Sequence, residues 1–241
     1  MSPPAARART TEESSPEGTE RPTQDGRSRV VIRGVTPEID GGRWPIKRVV
    51  GERIVVAADV FTDGHDDISC EVLWRRLDHD GLPVGNWRGT AMSSLGNDRW
   101  TASFTVSEIG RYDYTVRGWV DRFKTWSHDL EKRIAANQDV AVDLLIGVGL
   151  VEEAADIATG PDADRLEAYA KALRSGASQP ERSALAVGEE LRLLMRRHGP
   201  RRFAVTYARN LGVTVDRDKA RCSAWYELFP RSASPDPDRH G

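Results

Sequence analysis

The side chains able to do chemistry are scattered. Five histidines, His65, His79, His128, His198 and His240, stand at no metal-ligand spacing. The acidic run TDGHDD at 62–67 lacks the ligand order of a calcium loop and reads as a hairpin turn. Gly147-Val148-Gly149 lies in an apolar helical stretch without a third glycine or a preceding strand, so it does not read as a dinucleotide fingerprint. No serine occupies a G-x-S-x-G elbow, and neither Cys70 nor Cys222 has a base close by in sequence. Carboxylates are plentiful, but a primary sequence cannot set two of them across a sugar ring. No catalytic residue, metal site or cofactor follows. What remains is aromatic. Trp119, Phe123 and Trp126 crowd the stretch GRYDYTVRGWVDRFKTWSHDLEKR, where a strand-like alternation gives way to helical spacing. Such rings are either a packing seam or a platform for a flat partner such as a sugar. With Trp87, near a turn, Trp119 and Trp126 are the candidate substrate-binding residues.

The rest of the composition narrows the class. The 241 residues carry a net charge of −2 with 30% charged side chains of both signs, so neither nucleic acid nor an anionic membrane is an expected partner. No apolar run approaches a membrane span, and the arginine-bearing N-terminus has no hydrophobic core of a signal peptide. The expectation is a cytoplasmic protein with two reduced, partly buried thiols.

These residues must be positioned by three kinds of segment. Residues 1–29 hold no large aliphatic after Met1 and read as a disordered tail. From Val30 to about residue 124, five or six short β-rich runs are separated by Gly, Asp and Asn turns, the spacing of a β-sandwich. In DRWTASFTVS, Trp100, Ala102, Phe104 and Val106 share the inner face; Trp74 joins Cys70 and Val72 as core. In RYDYTVRGWV, Tyr112, Tyr114, Val116, Gly118 and Val120 point inward, which puts Trp119 on the polar face, to be covered by the helices that follow. Residues 125–199 read as a helical insertion of three or four helices, with Leu130, Ile134, Val142, Leu145 and Val148 as apolar positions of its first, long helix. Gly160-Pro161 breaks that helix from the next, Ser178–Glu181 is a capping box, and Gly199 is a stop. Arg196, Arg197, Arg201 and Arg202 suit a helix C-terminus, with an anion site as the second reading. Residues 200–221 return to strand and linker. The expected fold is mainly β with an α insert: an antiparallel β-sandwich interrupted by a small helical bundle.

Three stretches resemble one family, the bacterial α-1,4-glucan:maltose-1-phosphate maltosyltransferases of glycoside hydrolase family 13. RVVIRGVTPEIDGGRWPIKRVVGERIVVAADVFTDGHD resembles the family's opening, and GRYDYTVRGWVDRFKTWSHDLEKR its last sandwich strand and the start of its helical insertion. ARCSAWYELFPRS, 220–232, resembles the linker and first strand of its catalytic (β/α)8 barrel. The resemblance implies an immunoglobulin- or fibronectin-like sandwich, with residues 222–241 holding that first barrel strand and a truncated end. It implies an enzyme that moves maltosyl units from maltose 1-phosphate to α-1,4-glucan through an aspartate nucleophile and a glutamate acid/base. Both carboxylates belong to later barrel strands, and no residue here matches them. This chain is then expected to be an accessory and dimerisation region, inactive alone, the full enzyme being a homodimer. A stand-alone glucan-binding module or a non-catalytic dimerisation module is the alternative.

Overall fold

The computed structural model describes residues 27–222 and Glu227. Eight strands come first: β1 (Val30–Thr36), β2 (Ile46–Val49), β3 (Arg53–Thr62), β4 (Ile68–Leu77), β5 (Pro83–Ala91), β6 (Ser93–Gly96), β7 (Arg99–Thr105) and β8 (Gly110–Val120). Five helices follow: α1 (Arg122–Ala135), α2 (Ala141–Ala155), α3 (Pro161–Arg174), α4 (Gln179–Ala186) and α5 (Glu189–His198). The chain then returns as β9 (Val205–Thr206), β10 (Leu211–Asp216) and a short 3-10 turn, Asp218–Arg221. The expected barrel strand lies outside the described residues except for Cys222 and Glu227.

The strands form two sheets. One has the order β1-β3-β7-β6 and the other β2-β10-β8-β4-β5, with β9 on the edge of β8. Pairing is antiparallel except between β10 and β2, where Val213 to Asp216 run alongside Ile46 to Val49. The alternation predicts the inner faces well. Ile54, Val56, Ala58, Val60, Trp100 and Phe104 of one sheet meet Cys70, Val72, Tyr112, Tyr114 and Val116 of the other in one core. Trp74 stacks on Phe104 across the gap, centroids 5.1 Å apart. Two connections differ from expectation. Residues 63–67 are a crossing from one sheet to the other, not a hairpin, because β3 and β4 pair with different neighbours. WRGTAMSSLGND likewise turns a corner at buried Met92 and supplies both β5 and β6, in different sheets.

The helices begin at Arg122, a few residues before the helical spacing shows. Asp121 caps α1, its Oδ1 accepting from the Lys124 amide at 3.0 Å and its Oδ2 from Ser69 Oγ at 2.7 Å. There are five helices instead of three or four, since Asn137, with φ of 53°, breaks the expected first helix and Val187-Gly188 breaks the last. Ser178 and Glu181 form the capping box. A second core, separate from the sandwich core, gathers Phe123, Trp126, Leu130, Leu144, Val148, Val151, Leu166, Leu173, Leu191 and Leu194. No helix among the described residues is long and apolar enough to cross a membrane.

Candidate interaction surface

The acidic run at 62–67 works as a fastener. Arg29 reaches Asp63 at 2.7 Å and Asp66 at 2.6 Å. The Asp67 amide donates to Thr125 Oγ1 at 2.8 Å, and its carboxylate meets His128 at 3.2 Å, which ties the first turns of α1 to the sandwich. On β4, the buried Glu71 receives Arg117 of β8 (Nε at 2.8 Å) and lies 3.3 Å from Arg201, just beyond α5. Both ends of the helical insertion are thus fastened to neighbouring carboxylates of one strand and the loop before it.

That arrangement places the three aromatic candidates apart. Trp119 faces outward, as its register predicts, and is buried. The Arg201 guanidinium lies over its ring at 5.0 Å. The cover named by this contact comes from the segment after α5, and Trp119 belongs to neither core. Phe123 and Trp126 pack together at 5.3 Å inside the bundle, where Trp126 Nε1 donates to the Asp143 carbonyl at 2.8 Å. The structure therefore divides the expected three-ring seam. Trp87, half-buried on β5, carries the Arg75 guanidinium over its ring at 4.1 Å, and Arg75 also approaches Asp113 at 3.5 Å. Burial raises the Asp113 carboxyl above its usual range.

Arg197, in the last turn of α5, and Arg201 and Arg202 just beyond it are engaged with acids. Arg197 donates to Asp162 at 2.6 Å, beside His198 at 2.8 Å, and Arg202 approaches Glu153 at 3.4 Å. Cys70 is buried and free, its thiol pushed up to about 12 by desolvation, whereas Cys222 is exposed. Asp78, His79 and Asp80 could share one cation. Asp78 Oδ1 already accepts the amides of Asp80 and Leu82, so the cluster is explained as a turn.

The most unsatisfied surface is on α2. Its buried face holds Leu144, Gly147, Val148, Val151 and Ala154. Its opposite face holds Val142, Leu145 and Ile146, which are 70%, 55% and 53% exposed, and Gly149, around whose missing Cβ there is open space. These four occupy i, i+3, i+4 and i+7, one continuous stripe. Val142 and Leu145 were expected as apolar positions of one long helix with Leu130. The break at Asn137 resets the helical phase and turns both outward.

A family model described as the α-1,4-glucan:maltose-1-phosphate maltosyltransferase domain N/S matches residues 28–217. The chain belongs to this family. Relatives named as α-1,4-glucan:maltose-1-phosphate maltosyltransferase include one from Chlorobaculum tepidum, 47% identical over 90% of this chain and 32% of its own length. One from Myxococcus xanthus is 42% identical over 88% of this chain and 32% of its own. A third, from Streptomyces coelicolor, is 38% identical over 96% of this chain and 34% of its own. The chain thus spans about a third of the length of these maltosyltransferases.

Sequence reading of this N/S domain missed two features. The α2 stripe was masked because the helix is apolar on all sides, so periodicity could not separate an inner from an outer face. Trp44, in the turn DGGRWP, is 55% exposed, the most open tryptophan among the described residues. The signal was there: a tryptophan one residue after Gly-Gly-Arg and just before proline sits in a turn, where few side chains reach a core.

Proposed function

We propose that this chain is the N-terminal accessory and self-association region of a glycoside hydrolase family 13 maltosyltransferase. The whole enzyme would act in the cytoplasm on maltose 1-phosphate and an α-1,4-glucan. The observation that carries this reading is the match of residues 28–217 to domain N/S, joined to coverage of only 32% of the relatives. Catalysis would lie in the part of those relatives that this chain does not match. The sandwich, of immunoglobulin or fibronectin type, and its helical insertion would serve architecture.

The α2 stripe supports a second copy of the chain as its partner. About a two-fold axis between Leu145 and Ile146, two antiparallel α2 helices set Leu145 against Ile146 and Val142 against Gly149 of the other copy. Each bulky valine then meets the open space over a glycine. Such a surface is complementary to itself, which is what an isologous dimer requires.

Sedimentation equilibrium tests the reading. The wild-type chain should dimerise, and Leu145→Glu with Ile146→Glu should be monomeric with the wild-type far-UV circular dichroism spectrum, since both side chains are exposed in a single copy. A monomeric wild type, or an unaffected double variant, would overturn the dimer. Phosphate release from maltose 1-phosphate by the purified chain, above a protein-free control, would overturn the accessory role.

A further inference from the structure

The turn between β1 and β2 is built with more care than a simple connection needs. Ile39 and Trp44 face each other as an isolated bridge, and the amides of Gly42, Arg43 and Trp44 return to the carbonyls of Ile39 and Asp40. Asp40, Gly41 and Gly42 all hold positive φ, at 49°, 61° and 79°. A Cβ on Gly41 would come 2.7 Å from Arg209 Nη1, and one on Gly42 2.7 Å from Leu211 Cδ2, so the glycines let the turn lie flat on the start of β10. Tyr207 donates to Glu38 at 2.9 Å and fixes the turn's near end. The result is a pre-ordered platform whose tip is Trp44. Arg43 lies over the indole at 5.1 Å, and more than half of the residue still faces solvent.

Its chemistry points to a class of ligand. The exposed apolar surface here is Trp44 and, at 45% exposure, Ile39, roughly 200 Å² for such side chains. One or two pyranose rings match an area of that size. Arg43, over the indole, lies 3.8 Å from the Asp40 carboxylate, and Arg209 and Glu38 stand beside Gly41 of the same turn, so the turn carries two guanidinium donors and two carboxylate acceptors. That balance disfavours an anion and suits a neutral polyol, whose hydroxyls both donate and accept. The C–H face of a pyranose stacks on indole, and its rim of hydroxyls meets such groups. The α2 stripe, by contrast, is apolar over four positions and offers a sugar no hydrogen bonds.

We propose that the Ile39–Trp44 turn is a surface binding site for a neutral oligosaccharide, with Trp44 as the stacking platform. The choice of an α-1,4-glucan as that ligand rests on the maltosyltransferase reading above. Binding there would hold a glucan chain on the accessory region without any part in the chemistry.

Native electrophoresis through glycogen-containing gels and calorimetric titration with maltoheptaose, with cellohexaose as the control, test this. The wild-type chain should be retarded by glycogen and bind maltoheptaose saturably. Trp44→Ala should weaken binding at least about tenfold, and Trp44→Phe should retain part of it, all at one melting temperature. Absence of retardation in the wild type or equal binding by Trp44→Ala would overturn the proposal, and equal binding of cellohexaose would overturn the choice of an α-1,4-glucan as its ligand. So would a marked fall in the melting temperature of Trp44→Ala, which would make the residue structural. Failure of the maltosyltransferase reading is seen elsewhere, in sedimentation and phosphate release, and Trp44→Ala should alter neither.

Discussion

Two glycines of α2, two residues apart in sequence and so about 200° apart around the helix, should respond to alanine with opposite signs. Gly147 faces the bundle core. A Cβ there would stand 2.6 Å from Trp126 Cη2 and 2.8 Å from Cε2, and closer still to Cζ2. The indole cannot swing aside cheaply, because its Nε1 is bonded to the Asp143 carbonyl and its ring packs on Phe123. Alanine gains about 1 kcal/mol over glycine in a helix interior. Overpacking a filled site costs about 1–3 kcal/mol, and a contact this short belongs at or beyond the upper end. Gly147→Ala should therefore lose about 1–2 kcal/mol net, a fall of roughly 2–8 °C in melting temperature for a chain of this size. Gly149 meets nothing within 4 Å. Gly149→Ala should keep the whole helical gain, up to about 1 kcal/mol, and melt a few degrees higher. Both are best measured by thermal unfolding in a Leu145→Glu background, so that self-association through the stripe drops out. If Gly147→Ala stabilises as much as Gly149→Ala, the indole does not occupy that space and the account of the bundle core is wrong.

Two further outcomes follow from the fastenings at the two ends of the insertion. Trp119→Ala should lower stability by about 3 kcal/mol in chemical denaturation, since the ring is buried beneath Arg201; an unchanged midpoint would refute its role as packing. Asp162 is held below the usual carboxylate range by hydrogen bonds from His198 and Arg197, so its contribution is present above its unfolded value of about 3.9 and lost as pH falls through the folded one. Asp162→Asn should accordingly melt below wild type at pH 6, with the gap closing under about pH 4; a gap independent of pH would refute the linkage.

The sandwich was legible because period-two alternation is a strong constraint. Trp100, Ala102, Phe104 and Val106 cannot face one core without Arg99, Thr101, Ser103 and Thr105 facing away, and the structure keeps that division. Strand existence was therefore readable, but sheet membership was not. Whether residues 63–67 close a hairpin or cross between sheets depends on which neighbours β3 and β4 find, and those lie tens of residues away. The bundle was readable as helix wherever a local device marks it, as at Gly160-Pro161 and the Ser178–Glu181 box. Its breaks at Asn137 and Val187-Gly188 carry weaker signals, so the number of helices came out too low.

The candidate surfaces failed to show in the sequence for a related reason. Exposure is a difference between what a side chain could bury and what its neighbours cover, and only the second depends on the fold. Trp119 sits on a polar face yet is covered, because Arg201 returns across it after 81 intervening residues. Leu145 sits in an apolar helix yet is open, because Gly147 and Val148 take the face that Trp126 and the rest of the bundle core can reach. Trp44 is open for a third reason: its turn is pinned to β10 by Gly41 and Gly42, which leaves the indole no route inward. An aromatic or aliphatic residue left outside by a well-ordered backbone is a better guide to an interaction surface than its type alone. By that measure the stripe on α2 and the turn at Trp44, more than half exposed, outrank Trp87, which is half-buried, and Trp119 and Trp126, which are buried.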